Sequence, residues 1–203
     1  MSDQSGRLSL LNRALWLQYT TLAWNVVAVA VLTSAAIAAH SVALAGFGLD
    51  SLIEILASLT VVWQLKGISQ HREQRALRII GLAFFALAVY ITAQIVRMLI
   101  VEARPAASLP GILWLSLTVA TMLVLAFAKR KVGTQLSSRV LLTEANVTLL
   151  DAYLAMAVLF GIVLNAALGF WWADPLAAML IVYYGVKEGI AATKHAALGL
   201  PNA

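Results

Sequence analysis

The sequence predicts an all-α integral membrane protein of six transmembrane helices, with its N- and C-termini on the cytoplasmic side. Three observations lead there. Of the 203 residues, 62% are hydrophobic and 11% charged, less than half the charge of an ordinary soluble domain. Six apolar runs are each long enough to cross a hydrocarbon core roughly 30 Å thick. The basic residues gather in alternate connections, the pattern of the positive-inside rule.

The first span is read at 13–38, behind the polar tail "MSDQSGR". The run is too long for a signal peptide and lacks a small-residue cleavage pattern, so the tail is expected to be retained. The second span, 42–64, ends at "KGISQHREQRA", which reads as a polar loop. The third, 76–100, ends at "EARPAASLP", whose prolines suit a turn. The fourth, 108–128, is followed by a second polar loop, "KRKVGTQLSSR", and the fifth covers 140–167. The sixth, 172–193, opens with "WWADP", where Asp174 reads as an N-cap and Pro175 as the first helical residue. After it only "HAALGLPNA" remains. A single transmembrane domain, 1–203, with no soluble C-terminal domain is therefore expected to carry the whole function.

With the N-terminus inside, twelve of the fourteen lysines and arginines, Lys129, Arg130 and Lys131 among them, fall at inner loops or helix ends. Arg97 and Arg104 remain outside. Trp16 and Trp63 then sit near inner boundaries, and Trp114, Trp171 and Trp172 near outer ones, as an aromatic belt requires. The net charge of +5 is thus a topology signal and not a nucleic-acid footprint. The chain contains no cysteine, which excludes disulfides, thiolate ligands and cysteine nucleophiles. No Walker loop, GxSxG or HExxH occurs, so no enzyme and no prosthetic group is expected.

Against this background the acidic residues stand out. Asp3, Glu73 and Glu102 belong to the tail or loops, and Glu188 lies near an inner helix end within reach of water or a lysine. Asp50, Glu54, Glu144 and Asp151 fall inside spans. A carboxylate there costs at least about 2–3 kcal/mol on insertion scales and must face a partner or a water-filled cavity. No lysine or arginine is expected at their depth. Asp50 and Glu54 are four residues apart and share a helix face; Glu144 and Asp151 are seven apart with Thr148 between them. Two facing acidic stripes would surround a space fit for a divalent cation, whose charge relieves their repulsion. Asn25, Ser51, Asn146 and Thr148 read as interhelical hydrogen-bonding groups, with Asn25 a further candidate for the cavity wall. His40 is placed in the outer loop and His71 and His195 in cytoplasmic segments, none at ligand-pair spacing.

A faint internal echo aligns "SVALAGFGLDSLIE" with "SRVLLTEANVTLLD", setting Ser41 over Ser138, Ser51 over Thr148 and Glu54 over Asp151. Inverted halves of this kind place binding sites at the midplane.

The same residues resemble the cation diffusion facilitator family. The second span's "SVALAGFGLDSLIE" is similar to the family's serine followed by an acidic pair. "TEANVTLLD" is similar to the fifth-span pattern, and "DPLAAMLI" to the sixth. The resemblance covers essentially the whole chain and implies a six-helix exporter of divalent transition metals, usually a homodimer, that exchanges metal for protons. Val147 stands where the family usually has histidine or aspartate, Glu54 replaces the commoner aspartate, and the family's cytoplasmic domain has no counterpart, as in its short branch.

The expected ligands are Asp50, Glu54 and Asp151, with Glu144 as a fourth ligand or a relay. An all-oxygen site suits Mn²⁺, Fe²⁺ or Co²⁺ as well as Zn²⁺, while the resemblance favours Zn²⁺. The expected partners are the lipid bilayer, divalent metal ions, protons and a second copy of the chain. A transporter of organic cations would want an aromatic cage, and only Phe47 and Tyr153 lie near the acids in sequence. A non-transporting accessory subunit would tolerate conversion of the acids to amides.

Overall fold

The computed structural model describes residues 2–65, 70–101 and 104–198, excepting the side chains of 2–5, 61, 63–65, 70–74, 76, 77, 139, 140 and 195–198. Lys66, Glu102 and the side chains of Asp3, Trp63, His71, Arg72, Glu73, Arg139 and His195, assigned above from the sequence, lie outside the described residues.

Six helices form the described structure: α1 (Ser2–Ala39), α2 (Val42–Leu65), α3 (Gln70–Val101), α4 (Leu109–Gln135), α5 (Arg139–Leu168) and α6 (Ala173–Leu198). Each contains a stretch long and apolar enough to cross a membrane. Among the described residues there is no strand. The protein is an all-α membrane protein, as its composition requires: in lipid, only structures that satisfy their own backbone can span.

The most extensive packing joins α4 to α5, α3 to α6 and α1 to α2, and α2 also meets α3, α5 and α6. Leu44, Phe47, Ile91, Leu115, Val158 and Ile181 form the centre of the main apolar core. These residues come from the N-terminal halves of α2, α4 and α6 and the C-terminal halves of α3 and α5. The core therefore fills the end of the bundle remote from the starts of α1 and α3. Ile37, Val89, Ile100, Val124 and Phe160 point outward and are exposed, an apolar perimeter suited to acyl chains.

Small residues bring α3 and α6 together. A Cβ on Gly81 would stand 2.6 Å from Thr193 Cγ2 and 3.1 Å from the Gly189 carbonyl oxygen, so only glycine permits this approach.

Four sequence expectations change. The "KRKVGTQ" segment is not a loop: α4 continues through it to Gln135, and α3 already begins at Gln70. Lysine, arginine and glutamine are good helix formers, so polarity alone does not end a helix. The α4–α5 connection shrinks to 136–138, where Ser137 has φ 50° and the Ser138 hydroxyl accepts from Leu141 N at 3.4 Å. Trp114 is not part of an outer belt. It turns inward and stacks on Trp24 with ring centroids 4.8 Å apart, while the Trp24 indole donates to Thr118 Oγ1 at 3.2 Å.

The fourth change concerns Asp174, which lies in the first turn of α6 but caps a different helix. Its carboxylate accepts from the Ser41 hydroxyl, from Val42 N at 2.9 Å and from Ala43 N at 3.2 Å. Ser41 Oγ in turn accepts from Leu44 N at 3.0 Å. Of the four orphan donors that open a helix, three are met at α2 by a local serine and a remote aspartate, and the fourth, Ser41 N, donates to the Ala36 carbonyl at 3.2 Å. The negative charge also suits the positive end of the α2 dipole.

Candidate functional site

Below the apolar core, α2, α3, α5 and α6 separate to leave a cavity of about 140 Å³. Asp50 and Glu54 reach it from α2, and Glu144 and Asp151 from α5. The side chains are 6%, 5%, 4% and 6% exposed respectively, so all four carboxylates are withdrawn from the protein surface. Glu54 lies within electrostatic range of Asp151, Glu144 and Asp50, and Asp151 within range of Asp50. The two helical stripes inferred from spacing share one space. Among the described residues, no three Asp, Glu or His side chains converge closely enough to hold a bare ion in this arrangement. The carboxylates line a chamber instead of meeting at a point.

The chamber's volume limits what it can hold. Since about 10–15 Å³ open to a water's centre is enough to hold one, the chamber accommodates a metal ion with several waters. Drug-sized ligands occupy pockets of about 300–1,000 Å³.

Direction follows from chain order. The cavity wall runs along α2 from Asp50 to Thr60, and along α6 from Ile181 to Ala192. The apolar core closes it beyond Asp50 and Leu154. Its open extent therefore points toward the side of the bundle where α2 and α6 end.

Several residues were not anticipated. Glu188, read as a helix-end residue in contact with water, is half-buried and lines the cavity, within electrostatic range of Asp50. The aromatic wall comes from Phe84 and Tyr184. Phe47 is buried in the core, and the Tyr153 side chain is exposed on the perimeter. Asn25 is also buried but on α1, which does not line the cavity. Val147 also lines the cavity.

Lys129 is the largest departure. Read from the sequence as part of a cytoplasmic loop, it is fully buried, and its ammonium donates to Glu144 Oε1 at 3.1 Å and to Thr148 Oγ1 at 2.9 Å. Thr148 Oγ1 donates onward to the Glu144 carbonyl at 2.9 Å. The expectation that no lysine stands at the depth of the acids is therefore corrected. Glu144 has a cation partner, whereas Asp50, Glu54 and Asp151 form no ion pair among the described residues.

The aligned serines and hydroxyls play parallel parts. Ser41 and Ser138 both cap helices, and Ser51 and Thr148 both donate to carbonyls four residues back. Such local bonds are common in any helix, so they agree with the internal echo without requiring it.

No protein-family model matches the chain. It is similar to transmembrane protein 163 of Xenopus laevis, with 25% identity over 186 residues, covering 86% of this chain. The chain spans 66% of the length of that relative. The relative's name agrees with the fold: this chain is a multi-pass integral membrane protein.

Proposed function

We propose that the protein carries a divalent transition-metal cation across the membrane, with Zn²⁺ as first candidate, and exchanges it for protons by alternating access. The observation that carries this reading is the convergence of four buried carboxylates from α2 and α5 on one small cavity, with a single buried lysine beside them. Charges at this depth are retained where they serve an ion pathway. Asp50, Glu54 and Asp151 are the cation ligands, and Glu188 lies along the route on α6.

The cavity's size supports a small hydrated ion over an organic cation, although Phe84 and Tyr184 contribute aromatic surface. The resemblance of spans two, five and six to cation diffusion facilitators supports metal cargo, efflux and assembly as a homodimer, in a bacterial inner membrane. The carboxylate oxygens that hold the cation take protons when it leaves, which couples the two fluxes.

Proteoliposomes with an imposed pH gradient test the proposal. Zn²⁺, Mn²⁺, Fe²⁺, Co²⁺ and Cd²⁺ are supplied separately while a lumenal dye reports protons. Metal flux with opposite proton movement, lost in Asp50→Ala and Asp151→Ala, is expected. Normal flux in both variants would overturn the site, and no flux for any metal would favour an accessory subunit or an organic-cation transporter.

A further inference from the structure

The ion pair behind the cavity has a role that its position defines. Glu144 lines the cavity, but Lys129 does not. The lysine comes from α4, which is absent from the cavity wall, and reaches Glu144 from the rear. Its ammonium is held on two sides, by Glu144 Oε1 and Thr148 Oγ1, both on α5. It is fully buried while its sequence neighbours Arg130 and Lys131 are exposed. A lysine whose neighbours reach solvent is turned inward only where a buried charge compensates its desolvation. That charge belongs to one of the four cavity carboxylates.

We propose that Lys129 is a tethered cation that withholds Glu144 from the cargo and sets how tightly the remaining carboxylates bind a divalent ion. This rests on the reading of the cavity as a divalent-cation site. The fixed positive charge lies within electrostatic range of both Glu54 and Asp151. It opposes every arriving cation and neutralises one of the four acids. Charge count and ligand availability are the means by which oxygen sites tune divalent-ion affinity, and Lys129 acts on both. Glu144 is accordingly a positioning residue that holds the ammonium away from the chamber.

This assignment predicts a sign pattern that a fourth-ligand role for Glu144 does not. In Lys129→Met, Glu144 is released to the cavity and the opposing charge is gone, so binding tightens by about tenfold or more. In Glu144→Gln, the ammonium loses its counter-charge and binding weakens by about tenfold. In the double variant both charges are absent, and affinity returns to within about threefold of the unsubstituted protein. If Glu144 were a ligand, the double variant would lack a coordinating oxygen and stay about tenfold or more weaker than the unsubstituted protein even with the ammonium gone.

The experiment is calorimetric titration of Zn²⁺ and Mn²⁺ into the full chain in lipid nanodiscs, with size-exclusion profile and thermal unfolding recorded for each variant. The double variant keeps the test open where a single variant fails to fold, because it removes both members of the pair and adds no unpaired buried charge. Its return to near-normal affinity is expected, and a folded double variant about tenfold or more weaker than the unsubstituted protein overturns the proposal. Unchanged or weaker binding in a folded Lys129→Met also overturns it, leaving Lys129 as a clamp between α4 and α5. If the unsubstituted chain binds neither metal, the cation-site reading fails and this proposal with it. Metal binding that ignores Lys129 removes this proposal alone.

Discussion

Replacing Asp174 tests how α2, the helix that carries Asp50 and Glu54, is held in place. Asp174→Ala removes the acceptor for Val42 N, Ala43 N and the Ser41 hydroxyl in a site only 1% exposed. The hydroxyl can rotate to another acceptor, but the two backbone donors cannot. Each unsatisfied buried donor costs about 1–3 kcal/mol, and loss of the anion at the helix start adds about 0.5–1 kcal/mol. The sum is about 2.5–7 kcal/mol. For a chain of this size, about 2–4 °C of melting temperature corresponds to each kcal/mol, so the expected fall is about 5–28 °C. Asp174→Asn keeps one acceptor oxygen and should lose less than half as much. Thermal unfolding in detergent micelles, followed by tryptophan emission, measures both. A fall below about 2 °C for Asp174→Ala, or an equal fall for the two variants, would refute the cross-helix cap. Because Asp174 does not line the cavity, metal affinity of the folded fraction should stay within about twofold.

Three further expectations follow from other contacts. Gly81→Ala drives a methyl to within 2.6 Å of Thr193 Cγ2 and should cost about 1–3 kcal/mol; adding Thr193→Ser should recover part of it in the same melting assay. Val147→His introduces an imidazole at the cavity wall, so Zn²⁺ affinity should rise relative to Mn²⁺ by about tenfold or more in titrations, and an unchanged ratio would place position 147 outside the coordination space. Trp24→Phe deletes the hydrogen bond to Thr118 while keeping the stack on Trp114, a loss of about 1 kcal/mol readable in thermal unfolding.

How much of this was legible follows from what hydropathy encodes. The six spans were visible because crossing a bilayer demands long apolar runs, and the four acids because each violates that demand. Spacing gave each helix one acidic face, and the fold supplies the meeting of the two faces at one cavity. Lys129 was not, since "KRK" beside a polar run looks solvated, and only the fold reveals that one of three adjacent cations turns inward. Glu188 was hidden in the same way by its place near a helix end. Asp174 looked like a local cap because "ADP" suits one; its true partners lie more than 130 residues away, a relation that no local pattern records. The aromatic pair of the cavity, Phe84 and Tyr184, was missed because proximity in sequence pointed to Phe47 and Tyr153.

The glycine contact between α3 and α6 has a mechanical consequence. With Gly81 against Gly189, the two helices form one plate, while Asp50, Glu54, Glu144 and Asp151 all belong to the opposite wall of α2 and α5. Asp174 fastens the plate to α2 at one end, like a hinge at the top of a door. Swinging the lower edge would widen the chamber and carry Glu188 away from the other four carboxylates, so the cargo's ligands on α2 and α5 would stay with their wall while the barrier moves. Spin labels toward the C-terminal ends of α6 and α2 should then separate during turnover, while labels near Asp174 and Ser41 keep their distance.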